Sequence, residues 1–453
     1  MRVKEEKYTN KQEVRFRRGG RMARNSQSRG FIRMRLSCLF ALGLAMIGMG
    51  ANSAVALDIQ RSVHHTKSSS HHLTETKHST HRTASSSASH SKTTVSKSHK
   101  STISSATVQQ ASLTRRHRRH RYYERFTASS FAKGNIFEED ITAGEDPVVR
   151  QAAIDALGDM NGTAVVIDPS NGRVLAMVNQ KLALSPGAEP CSTIKLSVAL
   201  AALSEGLVTR DTPVQLAGFR MNMTDALAKS NNLYFEELGR ELGFERVHHY
   251  ANEFGLGELA GYDIAGEQLG VYPNEPIPSS EGGVARMCSF GQGVSMTPLQ
   301  LGAFVAAIAN GGTLYYLQHP TTAEDIARFE PKVKRTLDIA RFVPDLQDGM
   351  AGAVEYGTAR RLRANFQELP VFGKTGTCSD KGTRFGWFAS YSDSPQGSLV
   401  TVFFLEGGRP TFGPRAAELT GEFYKNLWDR NYFADKGSQQ ATAGLQVTGT
   451  ASQ

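Results

Sequence analysis

The order of apolar and polar positions predicts a folded part that mixes helices with antiparallel strands. Apolar residues recur at helical spacing in residues 147–160. Residues 163–168 and 173–178 have the pattern of two strands joined by a turn, which indicates a hairpin. A helical pattern broken by glycines follows through residues 192–310. Three further strands and a last amphipathic helix are predicted at residues 371–376, 385–391, 399–405 and 415–428. We therefore predict an α+β fold: a mainly antiparallel sheet, with strands from both ends of the domain, flanked by helices and carrying an inserted helical lobe.

The N-terminal segment has the order of an export signal. A basic stretch over residues 1–35 precedes the uncharged apolar run LSCLFALGLAMIGMGA, and small residues follow at 54–56. Sixteen residues rise about 24 Å as a helix, which is short of the roughly 30 Å hydrocarbon core of a bilayer. We expect residues 1–56 to be either a signal peptide or an N-terminal membrane anchor. Either would place the protein outside the cytoplasm, in the periplasm or cell envelope.

A polar, basic segment separates this leader from the foldable part. Residues 57–137 are rich in Ser, Thr, His and Lys and contain few large apolar residues, which predicts a disordered linker. Residues 433–453 are predicted to be a disordered C-terminal tail. Residues 1–133 hold 26 Lys and Arg against 6 Asp and Glu, so the formal total of +9 leaves −11 for residues 134–453. Because the foldable part is acidic, we do not expect nucleic acid to be its partner.

One candidate nucleophile stands at the start of an apolar helix. Ser192 and Lys195 lie three positions apart where the stretch LSVALAAL begins, so both side chains share a face of its first turn. A lysine that burial keeps neutral can take the proton of a serine hydroxyl and activate it. The helix N-terminus favours the oxyanion that forms in acyl transfer. The same SxxK spacing also begins at Ser89 and Ser130, so it needs support from elsewhere in the chain.

Two further motifs follow this one in a fixed order. SNN occupies residues 230–232 and KTGT occupies residues 374–377. With SxxK they make the chain resemble the transpeptidase domain of penicillin-binding proteins, in the superfamily of the serine β-lactamases. The stretches EPCSTIK, GQGVSMTPLQLGAFVAAIANGG and MAGAVEYGTARRL extend the resemblance. It predicts a penicillin-binding transpeptidase domain at residues 138–432.

The resemblance implies roles for the first two motifs in forming an acyl-enzyme. Ser192 would attack the penultimate D-Ala carbonyl of a peptidoglycan stem peptide, or a β-lactam antibiotic in its place. Lys195 would take the serine proton. Ser230 would relay protons to the leaving and attacking amines, and Asn232 would hold the substrate amide and Lys195.

The third motif would bind the substrate carboxylate. Lys374 would supply positive potential that keeps Lys195 and Ser230 poised, and the hydroxyls of Thr375 and Thr377 would hold the carboxylate. Gly376 would let the substrate backbone approach the strand edge. The oxyanion hole would be the backbone N–H groups of Ser192 and Thr377.

The chain departs from the family pattern at two places near these motifs. Ser192 and Ser230 are only 38 positions apart, since residues 209–223 lack the usual aromatic-bearing insertion, and we expect a more open cleft. Cys191 stands where the family often has Gly, and Cys378 directly follows Thr377. A Cys191–Cys378 bridge is conceivable in an oxidising compartment, but we expect two buried free thiols.

The leading interpretation is a D,D-transpeptidase, or a D,D-carboxypeptidase where water is the acceptor. One alternative is a serine β-lactamase, which needs a base to activate water; no such base can be assigned among Glu236, Glu237, Glu241, Glu245 and Glu253. A second alternative is a non-catalytic β-lactam sensor or cell-wall adaptor. We predict no cofactor. We also predict no metal site, because ten of the thirteen histidines fall in residues 64–120 without a repeated spacing.

Overall fold

A computed structural model describes residues 127–395 and 397–434. Within these residues the strands are β1 (Gly162–Ile167), β2 (Val174–Val178), β3 (Val214–Leu216), β4 (Phe219–Met221), β5 (Thr313–Tyr315), β6 (Val333–Thr336), β7 (Val371–Asp380), β8 (Thr383–Ser392) and β9 (Leu399–Gly407). The helices are α1 (Pro147–Leu157), α2 (Gln180–Ala183), α3 (Lys195–Ser204), α4 (Met223–Ala228), α5 (Asn232–Glu253), α6 (Gly283–Phe290), α7 (Pro298–Ala309), α8 (Ala323–Ala327), α9 (Val343–Glu355) and α10 (Gly413–Asp429).

The main sheet joins the two ends of the domain. Its strand order is β2-β1-β9-β8-β7, and every neighbouring pair is antiparallel. Val165 of the N-terminal hairpin pairs with Val402 of the C-terminal strand β9, so the sheet is complete only when both ends of the domain are present. The predicted α+β fold, with its hairpin and its three late strands, is confirmed. Strand β7 lies at the edge of this sheet and carries the KTGT motif.

Both faces of the sheet are covered, which explains why its strands are apolar at successive positions. Along β1, Val165 and Ile167 belong to the core shared with the helical lobe, whereas Ala164 and Val166 belong to the core under α1 and α10. This alternation follows from the two-residue period of a strand. Helix α3 lies in the middle of the lobe, with every residue from Lys195 to Leu203 buried.

The helical pattern predicted for residues 192–310 is interrupted by a small hairpin. Strands β3 and β4 pair between Val214 and Met221, in the segment where the sequence lacks the aromatic-bearing insertion. Between Phe254 and Pro278 the chain is largely irregular, and glycines with positive φ mark several of its turns. Gly-marked breaks were predicted for this region, but the β3–β4 hairpin and the length of the irregular stretch were not, because short Gly-bounded turns override a helical apolar spacing.

The folded domain extends beyond its predicted boundaries at both ends. Residues 127–137 were assigned to the linker, yet Ser130 is buried and its hydroxyl donates to the Arg409 carbonyl, 2.7 Å away. Phe433, assigned to the tail, is also buried. Hydrogen bonds to distant backbone groups and burial against the domain order residues that composition alone assigns to a linker. The remaining linker and tail and the leader of residues 1–56 lie outside the described residues. Among residues 127–395 and 397–434, no helix combines the length and apolar character that a membrane span requires.

Candidate active site

The predicted nucleophile lies in a tight turn that leads into the central helix. Ser192 belongs to a 3₁₀ turn over Cys191–Ile194, and α3 begins at Lys195. Cys191 has a φ of 52°, a left-handed conformation that non-glycine residues rarely adopt. The Nζ atom of Lys195 lies 2.8 Å from Oγ of Ser192. The structure therefore brings this predicted pair together, with the lysine fully buried and the serine half-buried.

The second motif approaches Lys195 from the turn between two helices. Ser230 also has a left-handed backbone, with a φ of 54°, and Asn231 caps α5 by accepting the N–H of Tyr234. This turn directs Asn232 toward Lys195, whose Nζ lies 2.6 Å from the amide oxygen. The carbonyl and hydroxyl oxygens of Ser230 lie 3.1 and 3.2 Å from the same nitrogen. Left-handed non-glycine residues of this kind concentrate at functional sites.

The third motif contributes a second buried lysine. Nζ of Lys374 donates to Oγ of Ser230 at 2.7 Å and to the carbonyl of Thr375 at 3.0 Å. The Ser230 hydroxyl thus lies between the amines of Lys195 and Lys374. Such a bridge offers a short path for a proton between either amine and a substrate nitrogen.

Burial sets the protonation of the two amines. It lowers the pKa of Lys195 to about 7, against a smaller opposing effect of the Glu236 carboxylate. Burial likewise lowers the pKa of Lys374, and positive charge on Lys195 lowers it further. A neutral amine has two N–H groups and one lone pair. The surroundings of Lys195 can accommodate that form, because Asn232 and Ser230 accept its N–H groups and the Ser192 hydroxyl, 2.8 Å away, is able to donate its proton to the lone pair.

The hydroxyls of the KTGT motif already have protein partners. Oγ1 of Thr375 lies 2.6 Å from Oγ1 of Thr358, and Oγ1 of Thr377 accepts the N–H of Gly413 at 2.8 Å. Because Thr377 accepts from Gly413, its O–H is still able to donate to a carboxylate. Sequence reasoning gave no role to Thr358, although it lies in the stretch MAGAVEYGTARRL, or to Gly413, because only the fold brings them to β7.

Gly376 is required by packing within the protein. A Cβ atom at this position would lie 2.8 Å from the carbonyl oxygen of Pro190, next to the nucleophile turn. The small residue therefore lets β7 pack directly against that turn. The approach of a substrate backbone, which the resemblance implies, stays a prediction.

The two cysteines beside the motifs form a disulfide. Cys191 and Cys378 are bonded, with their Cα atoms 5.5 Å apart, so the expectation of two free thiols was wrong. The left-handed backbone at Cys191 and the end of β7 place the two side chains at the separation that a disulfide needs. Sequence could not supply this geometry, because the two residues are 187 positions apart. Cys288 is a buried free thiol in α6.

The described residues contain no group of three or more His, Cys, Asp or Glu side chains that could hold a metal ion.

Comparison with known proteins agrees with this geometry. Residues 162–425, more than half of the chain, match the family model described as penicillin binding protein transpeptidase domain. The chain is 28% identical over 316 residues to Stage V sporulation protein D of Bacillus subtilis, covering 58% of this chain and 48% of that protein. It is 24% identical over 389 residues to Peptidoglycan D,D-transpeptidase MrdA of Acinetobacter baumannii, covering 68% and 56%. The chain thus spans about half the length of these relatives.

The same fold is found in a solved structure. The crystal structure of Pseudomonas aeruginosa PBP2 in complex with WCK 5153 has a TM-score of 0.55 and 24% sequence identity, covering 64% of this chain and 78% of that one. The match of the domain model includes all three motifs and both ends of the sheet. The chain therefore belongs to the penicillin-binding protein transpeptidase domain family.

Proposed function

We propose that this protein is an extracytoplasmic peptidoglycan D,D-transpeptidase that works through an acyl-enzyme on Ser192, and a D,D-carboxypeptidase when water is the acceptor. The observation that carries the proposal is the 2.8 Å separation of Oγ of Ser192 from the buried amine of Lys195, whose pKa is lowered to about 7. At neutral pH a large fraction of this amine is unprotonated and able to act as a base.

Acylation begins with transfer of the Ser192 proton to Nζ of Lys195. Oγ of Ser192 then bonds to the carbonyl carbon of the penultimate D-Ala, and the resulting oxyanion accepts the backbone N–H groups of Ser192 and Thr377. The peptide C–N bond breaks as the intermediate collapses. The terminal D-Ala leaves as an amine and takes a proton through the Ser230 hydroxyl, which contacts Lys195 and Lys374.

Cross-linking reverses these steps with a different amine. An amine of a second stem peptide attacks the ester carbonyl and loses a proton to the same Ser230 and Lys195 path. A new peptide bond forms, the ester C–O bond breaks, and Ser192 recovers its proton. Thr375 and Thr377 hold the terminal carboxylate of the donor peptide during the first step, and that carboxylate favours the protonated form of the nearby Lys374, whose pKa burial lowers.

A β-lactam is a second acylating agent in this proposal. Opening of its ring leaves an ester on Ser192 whose leaving group stays attached, so the ester persists unless water attacks it. Among the residues the structure describes, no glutamate hydrogen-bonds to Ser192 or Lys195. Glu236 and Glu237 instead pair with Arg240. The pairing of Glu236 and Glu237 with Arg240 disfavours either as a base for water, and so favours a slowly hydrolysed adduct over the β-lactamase alternative.

The non-catalytic alternative is disfavoured by the completeness of the lysine and serine network. A sensor would need Ser192 to be acylated but would not need the acceptor step that Ser230 serves. We also propose that residues 1–56 export or anchor the protein and that the linker lets the domain reach peptidoglycan.

The test is an assay with defined peptides. Full-length protein is mixed with a stem peptide that ends in D-Ala-D-Ala and with an amine acceptor, and released D-Ala and cross-linked product are measured. Wild type should release D-Ala and form the cross-link, and Ser192→Ala should do neither. Fast turnover of a chromogenic cephalosporin with no D-Ala release would contradict the proposal in favour of a β-lactamase.

A further inference from the structure

A covalent link joins the two segments that would form the oxyanion site. Cys191 directly precedes Ser192, and Cys378 directly follows Thr377. The disulfide between them holds the nucleophile turn against β7 across a sequence separation of 187 residues. Each of the two backbone N–H groups in question therefore lies one residue from the cross-link.

The backbone at Cys191 indicates that this cysteine has a role that glycine could not fill. Its φ of 52° lies in the left-handed region, where glycine is favoured and a side chain is strained. The family resemblance gives glycine as the common residue at this position. A cysteine here accepts backbone strain, and what it adds is the bond to Cys378.

The position of β7 in the sheet explains what this bond restrains. Strand β7 is an edge strand that pairs only with β8, and the face of β7 that carries Gly376 and Cys378 packs on the nucleophile turn. Thr377 is exposed and Cys378 is half-buried, whereas Lys374 and Thr375 are buried. Within the described residues, the link from Cys378 to Cys191 joins this face to the turn at the point where burial of the strand ends.

Non-covalent contacts hold the same segments: Thr377 pairs with Gly386 of β8 and accepts the N–H of Gly413. The indole N–H of Trp387 donates to the carbonyl of Glu189 at 3.0 Å, and Gly376 packs against the carbonyl of Pro190. Both contacts lie on the side of the turn before Ser192. The disulfide adds to these contacts a covalent restraint between the residue before Ser192 and the residue after Thr377.

We propose that the Cys191–Cys378 disulfide is a positioning element for acylation, which keeps the Ser192 and Thr377 amides at the separation that an oxyanion requires. This inference rests on the proposed function, because the two amides form an oxyanion site only if Ser192 is acylated. A donor misplaced by about 1 Å can lower a rate a hundredfold while leaving ground-state binding almost intact.

The cross-link is open to chemical reversal. Cys378 lines a cavity of about 780 Å³ together with Glu189, Arg286 and Asp380. A small dithiol reductant entering there attacks the Cys378 sulfur and displaces the Cys191 thiolate. It supplies two electrons and two protons in total, so that the protein gains two thiols and the reductant becomes a disulfide.

The first experiment compares full-length wild type with Cys378→Ser and Cys191→Gly. Saturation kinetics with a penicillin separate the acylation rate constant from the dissociation constant of the non-covalent complex, and thermal melts report stability. We expect the rate constant to fall about ten- to a hundredfold while the dissociation constant changes less than threefold. The control Cys288→Ala removes a buried thiol in α6 and should keep the wild-type rate constant within threefold.

The second experiment reduces the wild-type protein and needs no substitution. A gain of two titratable thiols per chain should accompany the same fall in the acylation rate constant, and reoxidation should restore both. Cys378→Ser should not respond to the reductant. This arm keeps the inference testable if a variant fails to fold.

Two negative results have different meanings. If the variants and the reduced protein melt at lower temperature yet acylate at the wild-type rate constant, the disulfide only stabilises the fold and the inference is overturned. If wild type itself forms no penicillin adduct, the proposed function fails, and the inference fails with it.

Discussion

This domain contains two buried clusters of charged side chains. In one cluster the cation has carboxylate partners, and in the other the lysines have neutral oxygen partners. Near α1, Arg150 makes ion pairs with Asp140 and Glu145 at 2.7 and 2.8 Å. Burial opposes the charge on Arg150, but hydrogen bonds to the two carboxylates outweigh it and its pKa is raised. In the active site, Lys195 and Lys374 are buried against hydroxyl, amide and carbonyl oxygens, and the pKa of each is lowered.

The difference shows how burial can serve either structure or chemistry. A buried cation with carboxylate partners keeps its proton and fixes the elements around it. A buried cation without them loses part of its proton affinity and becomes a base near neutral pH. The first cluster should therefore matter for stability and the second for acylation.

The largest expected effect is on the active-site side of this comparison. Arginine at position 195 keeps a positive charge but cannot become neutral at working pH, so Lys195→Arg should lower the penicillin acylation rate constant about 10²- to 10⁴-fold. The exposed Lys181 in α2 gives a matched control, and Lys181→Arg should acylate like wild type. Circular dichroism should show both variants folded. Acylation by Lys195→Arg at the wild-type rate would remove Lys195 as the base.

The matching change in the structural cluster should act on stability instead. Arg150→Met leaves Asp140 and Glu145 buried without their cation, so the free energy of unfolding should fall by roughly 3–5 kcal/mol in urea titrations. The control Arg240→Met breaks the ion pairs of an exposed arginine with Glu236 and Glu237 and should change the free energy of unfolding by less than about 1 kcal/mol. Folded Arg150→Met should still acylate at the wild-type rate. A tenfold loss of that rate would contradict the claim that the Arg150 cluster acts on stability alone.

The active-site cluster should also make the acylation rate constant depend on pH. Below the Lys195 pKa of about 7, the acylation rate constant should rise about tenfold per pH unit, and it should level off above it. Unfolding releases Lys195 to its ordinary pKa of 10.5, so the unfolded chain binds more protons between these values. The contribution of Lys195 to the free energy of unfolding therefore rises with pH from about 7 to 10.5. An acylation rate flat from pH 5 to 9 would contradict this assignment.

A smaller effect should follow from the hydroxyl pair beside the KTGT motif. Thr358→Val removes the partner of Thr375, which leaves the Thr375 hydroxyl less well oriented toward a carboxylate. The dissociation constant of the non-covalent penicillin complex should rise about three- to tenfold, the effect of one hydrogen bond. Thr420→Val, in a buried position of α10, is the matched control and should bind as wild type does. Equal binding by both variants would leave Thr358 with a packing role only.

Sequence predicted the parts of this molecule that local pattern and motif order determine. The β1–β2 hairpin follows from two apolar runs around a Gly-containing turn, and the three motifs meet around Lys195 as the resemblance implies. The boundary near residue 130 was missed because Ser130 is ordered by the Arg409 carbonyl, 279 positions away. The Cys191–Cys378 pair was named as a conceivable bridge but expected to be free thiols, because bond formation depends on a left-handed turn and on the packing of β7.

The paired cluster near α1 was also not foreseen. His319 lies beside Glu145, with Nε2 3.0 Å from the carboxylate, although nothing in its surrounding sequence marks it. Contacts of this kind arise when distant segments pack, and single-sequence patterns report neighbours only along one helix or strand.

The central claim is that Ser192 becomes acylated because a buried, partly neutral Lys195 activates it. The most direct measurement is to incubate full-length protein with a fluorescent penicillin, digest it, and locate the adduct by mass spectrometry. The account predicts a single long-lived adduct on Ser192, which is absent from Ser192→Ala and forms far more slowly in Lys195→Arg. An adduct on another residue, or equal labelling of Ser192→Ala, would contradict it.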